Sequence, residues 1–184
     1  MIFSVLCADP PWKFGDKLPG ETRGAEKQYP CVPVADICAM ELPPLADDCV
    51  LFLWRVASMQ QEALDVAFHW GFKVKTEIVW QKLTKNGLHH FGMGRTVRAS
   101  HETCLVAHRG KPKLRDRSIR STFSAPIPVG PDGKYIHSAK PECFYTDIVQ
   151  RLYAGPYAEM FSRRTREGWT TYGNQVGKLD EVAA

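Results

Sequence analysis

The stretch Ile2-Phe3-Ser4-Val5-Leu6-Cys7-Ala8-Asp9-Pro10-Pro11-Trp12 decides the fold. Residues 2–8 are a short, mostly apolar run without polar alternation, the pattern of a strand covered on both faces. Asp9 ends the run. The two prolines that follow remove backbone donors and fix φ, so the chain turns rigidly there. An acid, two prolines and a tryptophan are thereby delivered to the carboxyl end of a buried strand, where open α/β sheets bind their ligands.

Working outward, residues 33–40 read as a short helix with Pro33 in its first turn. Residues 49–54 (Cys-Val-Leu-Phe-Leu-Trp) are continuously apolar, a second buried strand. Residues 59–70 space their apolar side chains helically and stop at Gly71. Residues 74–80 read as a strand, 83–100 as a Gly-rich loop, 103–107 as a strand and 109–134 as a long loop. Residues 141–153 read as a helix with Pro141 in its first turn, and 157–161 as a short strand. Buried strands alternating with amphipathic helices predict one α/β domain over 1–184, a mostly parallel twisted sheet with helices on both faces. Loops 13–33 and 83–133 are expected to be substrate-binding insertions.

Composition sets the outer bounds. The chain has 184 residues, 44% hydrophobic and 24% charged, an ordinary globular balance that excludes disordered and collagen-like classes. No apolar run approaches the roughly 20 residues that span a bilayer. The first eight residues lack a basic region and a cleavage site, and are not read as a signal peptide. Six cysteines without a C-x-x-C pair signal neither a disulfide framework nor a zinc site. Reduced thiols, a cytoplasmic location, and no metal or membrane partner are the expectations. The net charge is +4, yet residues 82–120 carry ten Lys/Arg against Glu102 and Asp116. This asymmetry points to a polyanion-facing surface that includes Arg95, Arg98, Arg115, Arg117 and Arg120, the alternative being a solvated loop.

The Asp9–Trp12 turn suits one kind of ligand. A carboxylate beside an outward carbonyl accepts two hydrogen bonds from one amino group, and a neighbouring indole stacks on a flat heterocycle. Asp9, Pro10, Pro11 and Trp12 are therefore the candidate catalytic residues for chemistry at an exocyclic amine. The competing reading is a strand–turn with a core tryptophan. Trp54, Trp70, Trp80 and Trp169 are read as core.

Asp9-Pro10-Pro11-Trp12 resembles the signature of adenine-N6 methyltransferases. More narrowly, it resembles the family named after the seventy-kilodalton subunit of the mRNA N6-adenosine methyltransferase. Further blocks match in order: Tyr29-Pro30; Leu51-Phe52-Leu53-Trp54; Gly71-Phe72; Glu77-Ile78-Val79-Trp80-Gln81-Lys82; His137-Ser138-Ala139-Lys140-Pro141-Glu142; Glu159-Met160-Phe161-Ser162-Arg163; and Trp169-Thr170-Thr171-Tyr172-Gly173-Asn174-Gln175. The set covers nearly the whole chain. Ser162 stands where a Gly or Ala often follows the cofactor strand, and no G-x-G-x-x-G occurs.

The resemblance implies a Rossmann-like fold, S-adenosylmethionine as cofactor, and methyl transfer to the N6 amino group of adenine in DNA or RNA, with DNA favoured. It implies Asp9, Lys140, Glu159, Phe161, Arg163, Asn174 and Gln175 as cofactor-binding residues. It also implies Tyr29 beside Trp12 over the target base, and a homodimer or partner subunit as a possible arrangement. The rivals are a catalytically silent nucleic-acid-binding subunit, a methyltransferase acting on another amino acceptor, and a basic binding module without a cofactor.

Overall fold

The computed structural model describes residues 1–13, 31–94 and 96–180. Its frame is a seven-stranded sheet of order β5-β3-β4-β2-β1-β6-β7. The strands are β1 (Phe3–Ala8), β2 (Leu45–Arg55), β3 (Lys73–Leu83), β4 (His101–Arg109), β5 (Thr122–Pro126), β6 (Tyr157–Met160) and β7 (Trp169–Tyr172). Only β4 runs antiparallel to its neighbours; β1–β2, β1–β6, β3–β5 and β6–β7 are parallel.

The apolar runs have the expected cause. β2 is covered on both faces, and its residues 49–54 are each at most 2% exposed. Cys49, Leu51 and Leu53 face a core built with helices α1 (Val34–Cys38) and α2 (Gln60–His69). Val50, Phe52 and Trp54 face the opposite core, whose cover is the helical segment 142–152. That segment is wound as a π-helix over Phe144–Val149 and as an α-helix over Gln150–Leu152. Phe144 meets Phe52 edge-on at 5.9 Å and tilts against Trp54 at 4.7 Å. Burying such rings, with Ile148 and Val149 beside them, holds the helical segment to the sheet. α2 stops at Gly71, whose φ of +80° suits a residue without a Cβ.

Two strands depart from the sequence reading. The supposed loop 109–134 contains β5, which extends the edge of the sheet beyond β3. Its five residues, Thr-Phe-Ser-Ala-Pro, bury only Ala125, so no apolar run marks it. Tertiary contact makes it: Trp80 donates its indole N–H to the Ala125 carbonyl at 2.9 Å. β7 was not anticipated as a strand; it pairs with β6 from Tyr157↔Trp169 to Met160↔Tyr172.

Topology positions the site. The chain leaves β1 for β2 on one side through α1, and returns to β1's other side as β6 through segment 142–152. The carboxyl end of β1 is therefore the switch point of the sheet, and Asp9 is the first residue beyond it.

Candidate active site

A cavity of about 640 Å3 opens at the carboxyl ends of β1, β2, β3 and β6 and the amino end of β4. Asp9, Pro10, Pro11 and Trp12 all line it. The turn is held from behind: Trp12 donates its N–H to the Pro10 carbonyl at 2.8 Å, and Val32 donates to the Pro11 carbonyl at 2.8 Å. The Pro10 carbonyl is thus not fully free, as the sequence suggested; one lone pair remains for a ligand. The Trp12 indole donates to the Trp54 carbonyl at 3.0 Å and is 4% exposed. It serves as a fixed wall rather than an open stacking platform.

The dominant feature is a chain of alternating charges. Lys140 Nζ lies 2.5 Å from Asp9 Oδ2 and 3.2 Å from Glu102 Oε2, and Lys82 Nζ lies 2.5 Å from Glu102 Oε1. All four side chains line the cavity. Burial pushes the Asp9 carboxyl up from its ordinary value, against the pull of Lys140. Burial also acts to raise Glu102, but Lys140 and Lys82 outweigh it and bring that carboxyl down to about 2. Burial would lower Lys140; its two carboxylates instead raise it, so it stays an ammonium. Its charge also sits 5.1 Å over the Trp54 ring. Glu102 and Lys82 were not anticipated as site residues. The available signal was that Glu102 is one of two acids in a strongly basic stretch.

The opposite wall carries the late motif. Phe161, Arg163, Asn174 and Gln175 all line the cavity with Met160 and Tyr172. Arg163 donates to the His137 carbonyl at 2.5 Å and so ties this wall to the turn before Lys140. Gly173 is required by close approach: a Cβ there would lie 2.8 Å from the Ser162 carbonyl oxygen. Among the described residues, the two non-glycine positions with positive φ are Ser138 at 57° and Phe161 at 63°, and both line the cavity. Such conformations cost on the order of 1–3 kcal/mol and collect at functional sites.

Not every candidate is brought here. Glu159 does not line the cavity, which corrects its reading as a cofactor ligand. Met160 beside it faces the α1/α2 core, so strand parity turns Glu159 to the other face, where it is 6% exposed. There its carboxylate accepts from Tyr145 at 2.6 Å and from Arg166 at 2.6 Å.

Arg115, Arg117 and Arg120 are likewise absent from the cavity. β4 runs away from it, and the chain leaves β4 at the distal end, where Lys111 N–H donates to Asp48. Arg115 then bonds the Leu152 carbonyl through its backbone and the Gln150 carbonyl through its side chain, closing the end of segment 142–152. Arg98 stands next to the cavity-lining Ala99, with its guanidinium 4.9 Å from the Phe91 ring. Tyr29 and Arg95 lie outside the described residues.

The MT-A70 family model matches residues 3–175. The type II methyltransferase M.MunI of Mycoplasma sp is 28% identical over 194 residues, covering 95% of this chain and 78% of that protein. The mouse N(6)-adenine-specific methyltransferase METTL4 is 28% identical over 198 residues, covering 98% of this chain and 39% of that protein. The human N(6)-adenosine-methyltransferase catalytic subunit METTL3 is 30% identical over 186 residues, covering 95% of this chain and 28% of that protein. The chain therefore spans most of the first of these and well under half of the other two. With the family match running from β1 past the end of β7, the chain belongs to the MT-A70 family of adenine-N6 methyltransferases.

Proposed function

We propose that this chain methylates the N6 amino group of adenine in DNA, using S-adenosylmethionine, with the acceptor amine held at Asp9 and Pro10. The observation that carries this reading is the Asp9–Lys140 pair beside a cavity at the switch point of the sheet. DNA is favoured over RNA because the chain spans 78% of a type II methyltransferase.

The cavity suits the cofactor chemically. Met160, Phe161 and Tyr172 supply apolar surface for a nucleoside and a thioether chain, and Arg163 supplies a cation for a carboxylate. Asn174 and Gln175 supply amides that make no hydrogen bond within the described residues. S-adenosylmethionine supplies an electrophilic methyl group when bound. The rest of the work belongs to the chain. The Asp9 carboxylate and the remaining Pro10 carbonyl lone pair accept hydrogen bonds from the two amino N–H groups, which draws the nitrogen from planar toward tetrahedral. Lys140 keeps Asp9 ionised in a site whose burial opposes ionisation. Glu102 and Lys82 hold Lys140 in place, so the acceptor is fixed before substrate arrives. The nitrogen then releases a proton, and Asp9, with its raised affinity for protons, is positioned to receive it.

The target base must leave its stack to reach the cavity. Leu88, Phe91, Met93 and Val97 are exposed on the stretch of chain that leads to the cavity-lining Ala99. Apolar side chains of this kind fill the space vacated in an opened duplex. A second copy of the chain, or a partner subunit, would complete the groove of so small a domain.

The test is transfer of labelled methyl to matched DNA and RNA pools, followed by nucleoside analysis. N6-methyladenine in DNA supports the reading; its appearance only in RNA overturns the polymer assignment. Binding of nucleic acid with no transfer would favour the silent-subunit reading.

A further inference from the structure

We propose that Arg166 is a positioning residue that locks the two walls of the cavity to each other, and so sets the cofactor wall against the Asp9–Lys140 pair. Arg166 lies outside the cavity. Its side chain is 10% exposed and its guanidinium is used on three sides. Nε and Nη2 donate to the two oxygens of Glu142 at 2.6 and 3.1 Å, and Nη1 donates to Glu159 at 2.6 Å. Its plane rests 3.4 Å from the centroid of the Tyr145 ring. Arg is suited to this task because its rigid fork meets one carboxylate with two bonds while keeping a donor for another.

The two carboxylates belong to the two walls. Glu142 is two residues beyond Lys140, with Pro141 stiffening the link between them. Glu159 is two residues before Phe161, at the end of β6. Its carboxylate also stands 3.1 Å from the Ser162 hydroxyl, which lies 2.6 Å from the Arg164 carbonyl. This network backs the turn that holds Phe161 at a φ of 63°. Arg166 also anchors β7, since Trp169 N–H donates to its carbonyl at 3.1 Å. A non-glycine residue stays in that backbone region only where its surroundings over-determine it, and the Arg166 network is what surrounds it here.

The proposal rests on reading that wall as the cofactor side, and two readouts separate the claims. The first is amide hydrogen exchange on the protein without ligand. Glu142→Gln breaks the fork without stranding a buried charge, and Arg166→Lys keeps the charge but cannot span both acids. Exchange at 138–140 and 161–163 is expected to speed at least tenfold in both variants, while exchange in β1 and β2 stays as in the parent. Unchanged exchange at both segments would overturn the proposal. The second readout is calorimetric binding of S-adenosylhomocysteine. Affinity is expected to fall about tenfold in both variants, with KM for S-adenosylmethionine rising more than kcat falls. Equal affinity in parent and variants overturns the link to the ligand. Failure of the parent itself to bind would overturn the cofactor reading, and the exchange result would still decide the positioning role.

Discussion

Lys140 Nζ and Asp9 Oδ2 lie 2.5 Å apart, although 131 residues separate them along the chain. The lysine is 5% exposed and carries a second carboxylate, Glu102, at 3.2 Å. Removing it would leave two like charges facing each other in a partly buried site. Lys140→Met is therefore expected to move the acid limb of the activity profile to higher pH. The direction follows from Asp9: its carboxyl is already raised by burial and opposed mainly by Lys140, and its working form is the anion. Activity is lost as pH falls through that value, and losing Lys140 raises the value further. A fall in kcat of about 100-fold or more is expected at neutral pH, on the scale of a lost acid–base or positioning group. Rates from pH 5 to 9 check it.

Glu102, whose carboxyl is shifted the opposite way from Asp9, gives a stability prediction. Its carboxyl falls from 4.5 to about 2 on folding. A group lowered in this way stabilises the fold above its unfolded value, and the contribution is lost as pH falls from 4.5 toward about 2. The contribution is at most about 3.5 kcal/mol, because each tenfold change in proton affinity on folding is worth about 1.4 kcal/mol. Glu102→Gln should flatten the loss of stability in that window. Urea unfolding of parent and variant at pH 5 and pH 3 measures it.

Charge removal should act according to place rather than sequence neighbourhood. Arg98→Ala, beside the mouth, is expected to weaken nucleic-acid binding and reduce the salt slope by about 1. Arg115→Ala is expected to loosen the end of segment 142–152 with little effect on binding to a short duplex, because Arg115 is spent on the Gln150 carbonyl. Salt titrations with a duplex of about 12 base pairs distinguish the two.

The edge strand offers a fourth test. Trp80→Phe removes the donor to the Ala125 carbonyl. The lost bond and packing should cost about 2 kcal/mol, in the range for a stranded buried acceptor. Hydrogen exchange should show the loss concentrated in β5. Chemical denaturation supplies the total.

What the sequence made legible follows from where the signal lies. Val50 to Trp54 read as a buried strand because both faces are covered, and the resulting apolar run needs no knowledge of the neighbours. Asp9 to Trp12 were legible as a turn because the strand end and the two prolines that make it are adjacent in the chain, although Val32 and Trp54 hold it from elsewhere. β5 was not, because it has one buried residue and depends on Trp80 from another strand. Glu159 was misplaced because strand parity, invisible in a short motif block, turns it away from the cavity. Glu102 and Lys82 were missed because their role exists only where β3, β4 and the 137–140 turn converge. Arg115 was grouped with Arg98 because they share a stretch of chain, yet β4 carries the chain away from the cavity and Arg115 bonds the end of segment 142–152.

The most direct test of the central claim is methyl transfer to adenine in DNA by the parent and by Asp9→Asn, measured together with S-adenosylhomocysteine binding. The account predicts N6-methyladenine from the parent, loss of at least 100-fold in the variant, and ligand affinity within a few-fold of the parent, because the change falls on the amine's acceptor. Transfer retained by Asp9→Asn would contradict it, since the carboxylate at the switch point would then not be holding the reacting nitrogen.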